Sequence, residues 1–156
     1  MKTNIGITEK DEQFIANKLN TLLADEYVLI TKTRNYHWHI TGPSFLELHK
    51  FYEGHYTEIL GIIDGVAERV RQIGQKACGT LKEFLEKTRL KEGPYLHNQS
   101  KQTAQLLKDH ETICKHLRDD IAAIDEKDCD PSTVDMLTGY LEFHEKTAWM
   151  LRSYQE

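Results

Sequence analysis

The chain has 156 residues, with 20 Lys and Arg against 25 Asp and Glu, for a formal net charge of −5. That length suits one domain, 1–156, around one core, and a 29% charged share with only three prolines argues against a linker-rich or fibrous chain. No apolar run approaches the ~20 residues of a membrane span, and the mild acidity argues against generic nucleic-acid binding. The first residues lack a signal-like apolar stretch. Cys78, Cys114 and Cys129 are odd in number and form no CxxC pair, so a reduced cytoplasm is the expected setting.

The breaks fall at Gly42-Pro43, Gly93-Pro94 and Asp130-Pro131, and the apolar period between them is helical. A first helix is expected from near Thr8 to about Ile40. Thr8-Glu9-Lys10-Asp11 resembles a capping box, and Leu19, Leu23, Ile30 and His37 form its stripe. A second starts at Ser44, where Ser44-Phe45-Leu46-Glu47 again has a capping-box pattern, and runs to about Gly74. A short helix, about Leu81 to Thr88, follows Thr80 as cap. The third long helix, Asn98 to Ile124, carries Leu106, His110, Ile113, Leu117 and Ile124. The last begins after Asp130, an N-cap with Pro131 at N1, and its stripe is Val134, Leu137, Leu141, His144, Ala148 and Leu151. The fold class expected is therefore all-α, a four-helix bundle. The second and third long helices are joined by about 23 residues, too many for a hairpin. A bundle with one long crossover, here holding a short helix, has ferritin-like topology.

The second long helix has two faces. At about 100° per residue, Leu48, Phe51, His55, Ile59, Ile62, Val66, Val70 and Ile73 share one line, the core face. His49, Glu53, Asp64 and Glu68 fall well away from it, with Leu46, Tyr56, Leu60 and Ala67 among them. Such an apolar stripe carrying metal-ligand residue types suits another subunit better than water. Each i,i+4 pair can converge on one ion. Eleven residues separate the pairs, a rise of about 16 Å, so the two pairs of one chain cannot share an ion. Two antiparallel copies of the helix, with a two-fold axis near Glu58 and Ile59, bring His49 and Glu53 of one against Asp64 and Glu68 of the other, giving two equivalent sites per dimer. Gly54, Gly61 and Gly65 on a neighbouring stripe permit close helix approach. Spacing alone also fits a solvated charged face with incidental histidine, so two readings stay open at this point.

His37-Trp38, then Phe45, His49 and Glu53, then Asp64-Gly65-Val66-Ala67-Glu68-Arg69 resemble Dps, the DNA-binding protein from starved cells. The likeness extends through Thr80-Leu81-Lys82-Glu83-Phe84-Leu85 to Trp149-Met150-Leu151. The resemblance implies a dodecameric hollow shell of four-helix bundles. It implies an iron-oxidising, ferroxidase-type enzyme that uses hydrogen peroxide, or oxygen, and stores the ferric product inside. The centres it implies lie at two-fold interfaces, with His37, His49 and Glu53 from one chain and Asp64 and Glu68 from its mate, holding at most two irons each. Glu53 stands where the family often has Asp. The sequence lacks the E-x-x-H motifs of ordinary ferritins.

The resemblance also places Trp38 and Trp149 near the centre, where an indole could trap oxidising equivalents; ordinary packing is the plain alternative. His55, His110 and His144 fall on core stripes and are expected to be satisfied core histidines. Between Asp119 and Asp135 seven acids face the single base Lys127, a composition that attracts cations. The resemblance matches Asp125, Asp130 and Asp135 to acidic three-fold iron-entry pores, whereas a solvated loop with N-caps is the bland reading. Many Dps chains hold DNA with a Lys/Arg-rich tail; here the first ten residues offer Lys2 and Lys10, and only Arg152 is basic after Trp149. DNA binding is therefore not expected from the tail. A homo-oligomeric mini-ferritin is the leading reading. A DNA-compacting nucleoid protein with minor metal chemistry is its rival, and a metal-free helical interaction module is the third.

Overall fold

The computed structural model describes residues 3–155. Lys2 of the sparse basic tail lies outside them. The elements are α1 (Glu9–His39), α2 (Phe45–Gln72), α3 (Leu81–Lys87), α4 (Gln99–Asp125) and α5 (Pro131–Ser153). This is the all-helical ferritin-like bundle expected, with four long helices and a short α3 between α2 and α4.

Local chemistry sets the helix ends. The Thr8 hydroxyl accepts from the Asp11 N–H, and Glu9, Asp11 and Glu12 occupy the positive pole of α1. Thr80 and Glu83 form a reciprocal capping box on α3; Asn98 caps α4 and Asp130 caps α5. Ser44 departs from expectation, because its side chain makes no cap hydrogen bond. The chain enters α2 through a turn in which the Phe45 N–H reaches the Gly42 carbonyl, and Ser44 sits at φ −93°, ψ 25° rather than in the extended conformation a capping side chain needs. At the other end of α2, Gly74 takes φ +81°, and the bonds Gly74 N–H to Arg71 O and Gln75 N–H to Val70 O form a Schellman stop.

Helix α1 runs antiparallel to α2 across the short 40–44 turn. It is also antiparallel to α4, as the ion pairs Lys18–Asp120 (2.8 Å) and Lys32–Asp109 (2.6 Å) require. Helix α5 runs antiparallel to α2: Arg69 reaches Asp130 at one end, and His55 Nε2 meets the Thr147 hydroxyl further along. The crossover lies along α1. Asn20 binds Lys76 O and Cys78 N, and Tyr27 stacks on Phe84 at 3.9 Å. Asp25 accepts from the Thr88 hydroxyl and from the Arg89 N–H and guanidinium, Lys32 donates to Lys91 O, and Thr41 donates to His97 O. These are successive points along α1 and the turn that follows it.

The core follows the apolar stripes. Leu19, Leu23, Ile30 and His37 of α1 are buried, as are Leu48, Ile59, Ile62, Val66, Val70 and Ile73 of α2 and the whole α4 stripe. Tyr52 and Ile63, off the expected line, are buried too. In mid-bundle the core turns polar. Glu26 Oε1 lies 2.9 Å from His144 Nε2, and His144 Nδ1 lies 2.9 Å from His110 Nδ1. Glu26 and His144 have no exposed surface and His110 is 1% exposed. Burial pushes the His110 imidazole well below its ordinary range, aided by the neighbouring His144 and His55.

Candidate metal centre

The last turn of α1 and the second turn of α2 face each other across the 40–44 turn, so the twelve-residue spacing from His37 to His49 brings the two rings together. Their centroids are 3.7 Å apart and their planes 20° from parallel. His37 Nδ1 lies 2.8 Å from the His49 carbonyl, and His49 Nδ1 lies 3.0 Å from the His37 carbonyl. A carbonyl only accepts, so each Nδ1 carries the hydrogen. A neutral imidazole in that tautomer keeps its lone pair on Nε2, the form in which histidine binds a metal. The His37 carbonyl is available because α1 ends two residues later and leaves its last carbonyls without intrahelical partners. Phe45 stacks on His49 at 5.2 Å, and Tyr56 stands edge-on to His37 at 5.3 Å.

Glu53 lies one turn beyond His49 on α2 and is exposed. Asp64 and Glu68, also exposed, lie farther along the same helix. Among the described residues no three His, Cys, Asp or Glu side chains converge on one point. One chain thus joins two of the five sequence-selected residues and presents the other three separately. The side carrying them is apolar as well as acidic: Trp38, Phe45, Leu46 and Leu60 are exposed, as are Leu81 and Leu85 on α3. Two imidazole nitrogens and added carboxylates are borderline-to-hard donors of the kind that hold divalent first-row metal ions, Fe(II) among them.

Gly54 and Gly61 are open, with no atom within 4 Å of an added Cβ. Gly65 differs: a Cβ there would collide with the Tyr140 hydroxyl of α5. Its small size serves the packing of α2 on α5 within the chain, a reason the stripe alone did not reveal.

Trp38 is 64% exposed and Trp149 62%, and among the described residues no ring contact joins either to the imidazole pair. In the acidic stretch, Asp125 and Asp135 are exposed. Asp130 is buried, paired with Arg69 at 2.7 Å and bonded to the Thr133 N–H and hydroxyl. Burial raises its carboxyl, but the Arg69 and Thr133 bonds outweigh that and hold it below the usual carboxylate range. Its oxygens join α2 to the start of α5. Asp120 is likewise taken up by Lys18 and Arg89. All three cysteines are free, and burial pushes Cys78 and Cys129 up and Cys114 up to about 11, away from thiolate chemistry. Sequence reasoning missed Arg34, whose guanidinium carbon lies 5.7 Å from the Trp38 ring and 5.5 Å from the Tyr56 ring; its i,i+4 spacing to Trp38 was the available signal.

No helix among the described residues is long and apolar enough to cross a membrane. The family model for the ferritin-like domain matches residues 16–156. A low temperature-induced protein of Nostoc sp. is 41% identical over 156 residues, 99% of this chain and 87% of that protein. A DNA protection during starvation protein of Brevibacillus brevis is 35% identical over the full length of both chains. The crystal structure of a Dps protein from Vibrio cholerae, described as belonging to a broad superfamily of ferritin-like diiron-carboxylate proteins, superposes with a TM-score of 0.93 at 29% identity, covering 100% of this chain and 98% of that one. With the imidazole pair at the α1–α2 turn and the crossover laid along α1, these matches show that the chain belongs to the Dps family of ferritin-like proteins.

Proposed function

We propose that this protein is a ferroxidase-type mini-ferritin: it oxidises Fe(II) with hydrogen peroxide, or oxygen, at centres shared between two subunits and stores the ferric product inside a closed shell of twelve copies. In a cytoplasmic setting, this chemistry removes both partners of radical production. The observation that carries the reading is the His37–His49 pair, two imidazoles whose Nδ1 hydrogens are tied to carbonyls and whose Nε2 lone pairs remain available. Glu53 of the same chain, with Asp64 and Glu68 of a second chain, completes the set. The shared site follows from the eleven residues between Glu53 and Asp64, about 16 Å along a helix.

Two Fe(II) at one centre give peroxide both electrons together: 2 Fe(II) + H2O2 + 2 H+ → 2 Fe(III) + 2 H2O. Pairing the ions avoids the one-electron step that makes hydroxyl radical. Carboxylates stabilise the higher charge of the product, and the two fixed imidazoles orient the ions without reorganisation. Asp125 and Asp135, both exposed in a stretch rich in acids, serve as the iron-entry residues. The name of the Brevibacillus relative refers to DNA protection; removing Fe(II) and peroxide protects DNA without contact with it. Anaerobic Fe(II) titration followed by peroxide tests the proposal: ferric absorbance should rise with two irons oxidised per peroxide. Absence of ferric product, or one iron per peroxide, overturns it. Light scattering should give a mass near twelve subunits.

A further inference from the structure

A second pair of imidazoles stands apart from His37 and His49. His39 is the last residue of α1, and His97 comes from the end of the crossover, just before the Asn98 cap of α4. The Thr41 hydroxyl donates to the His97 carbonyl at 3.2 Å, which pins the end of the crossover against the end of α1. The two rings then lie 5.6 Å apart between centroids, with planes 72° from parallel. Tyr95 stands edge-on to His39 at 5.2 Å. His39 Nδ1 lies 2.8 Å from the Asn35 carbonyl, one turn back. A carbonyl only accepts, so that nitrogen carries the hydrogen and Nε2 keeps its lone pair. Among the described residues neither ring nitrogen of His97 has a hydrogen-bond partner. Asn35, His39 and Tyr95 line one cavity of about 300 Å³, and Asn35 Oδ1 is buried without a donor.

We propose that His39 and His97 bind one Zn(II) per chain, with water in the remaining positions, at a site separate from the proposed iron centre. A zinc–nitrogen bond is near 2.1 Å, so two imidazoles on one tetrahedral ion hold their centroids roughly 5 Å apart. The observed 5.6 Å is close to that spacing, and His97 is exposed, so its ring can turn about the Cβ–Cγ bond to meet the ion. Two neutral imidazoles without a carboxylate favour the late first-row divalent ions over Fe(II), and Cu(II) shares this preference. Asn35 lies one turn before His39 on the same face of α1. Water on the ion is the donor that its Oδ1 lacks. Arg34 also borders the cavity, with its guanidinium over the Trp38 and Tyr56 rings, and its charge limits the affinity. The bound ion clips the crossover to α1 through side chains, as Thr41 does through the backbone, so it stabilises the folded chain.

The test uses the full-length protein carrying His49→Ala and Asp64→Ala, which removes two ligands of the proposed iron centre. Zn(II) is titrated against a chromophoric chelator. One Zn(II) per chain should still bind, Cu(II) should displace it, and zinc should raise the unfolding temperature. Adding His97→Ala or His39→Ala should weaken the zinc by about tenfold or more, since even the loss of an outer-shell partner costs that much. The thermal shift should vanish with it. Anomalous scattering at the zinc edge, on crystals of the unsubstituted protein, should place an ion between His39 and His97. Zinc binding unchanged by His97→Ala, no zinc bound in the His49→Ala/Asp64→Ala protein, or an anomalous peak only beside Glu53 and Glu68 overturns the proposal. His97→Ala alone should leave peroxide-driven Fe(II) oxidation as in wild type. Absence of ferric product in wild type overturns the iron reading and leaves the zinc site standing.

Discussion

His37 and His49 each donate an Nδ1 hydrogen to the other's carbonyl oxygen, so two residues twelve apart fix one another's tautomer. The exchange ties the end of α1 to the start of α2 and points two like nitrogens away from the backbone.

The proposed shared centre makes a prediction that a single-chain centre does not. His49→Ala and Asp64→Ala each remove one ligand, and either alone should damage every centre. A dimer of one chain of each kind has one centre with both lesions and one with neither. Mixed shells should therefore recover a fraction of peroxide-driven Fe(II) oxidation that neither parent shows. No recovery in verified mixed dimers would refute the intersubunit assignment.

Asp25 has no exposed surface and accepts from the Thr88 hydroxyl and from the backbone and side chain of Arg89. Removing it strands these donors against α1. Asp25→Ala should cost about 3–5 kcal/mol in urea-induced unfolding, the range for breaking a buried ion pair. A loss under 1 kcal/mol would show that the crossover is held by Tyr27–Phe84 stacking instead.

His110 gives stability a pH dependence. Its folded imidazole titrates well below the unfolded value near 6.5, because burial first, then His144 and His55, oppose the charge. Between those values the unfolded chain binds more protons, so stability is full above about pH 6.5 and falls as the solution is acidified. His110→Gln should flatten the unfolding free energy between pH 7 and 5; an unchanged slope would assign the effect to other groups.

Gly65→Ala should destabilise, by up to about 1 kcal/mol at the low end of overpacking costs, since the new methyl meets the Tyr140 hydroxyl. Tyr140→Phe removes that oxygen and should restore most of the loss in thermal unfolding. An equal penalty in the double variant would place the strain elsewhere on α2.

With a net charge of −5, the protein should bind duplex DNA weakly at physiological salt. A gel shift showing tight, salt-resistant complexes without added divalent metal would contradict this.

Stripes and caps carried most of the fold into the sequence. The α4 stripe is buried throughout, and Thr80, Asn98 and Asp130 cap as their residue types require. Ser44 did not, because a cap depends on backbone angles that the preceding Gly42-Pro43 turn sets. The His37–His49 contact was legible through motif spacing. The burial of Asp25, the commitment of Asp130 to Arg69 and the reach of Arg34 were not. Each depends on a partner distant in sequence or a side-chain direction that periodicity does not encode.

The crossover joins two hairpins, α1–α2 and α4–α5, each closed by a short turn. It is laid along α1 by hydrogen bonds and by Phe84 and Leu90, whose side chains join the core. A single proteolytic nick between α2 and α4 that leaves Phe84 and Leu90 seated should therefore preserve the core contacts. The two fragments, each folded back on itself, keep the complementary surfaces and the Lys18–Asp120 and Lys32–Asp109 pairs needed to stay associated. The chain is in effect a covalently tethered heterodimer of helical hairpins, and separately produced halves should reconstitute the bundle.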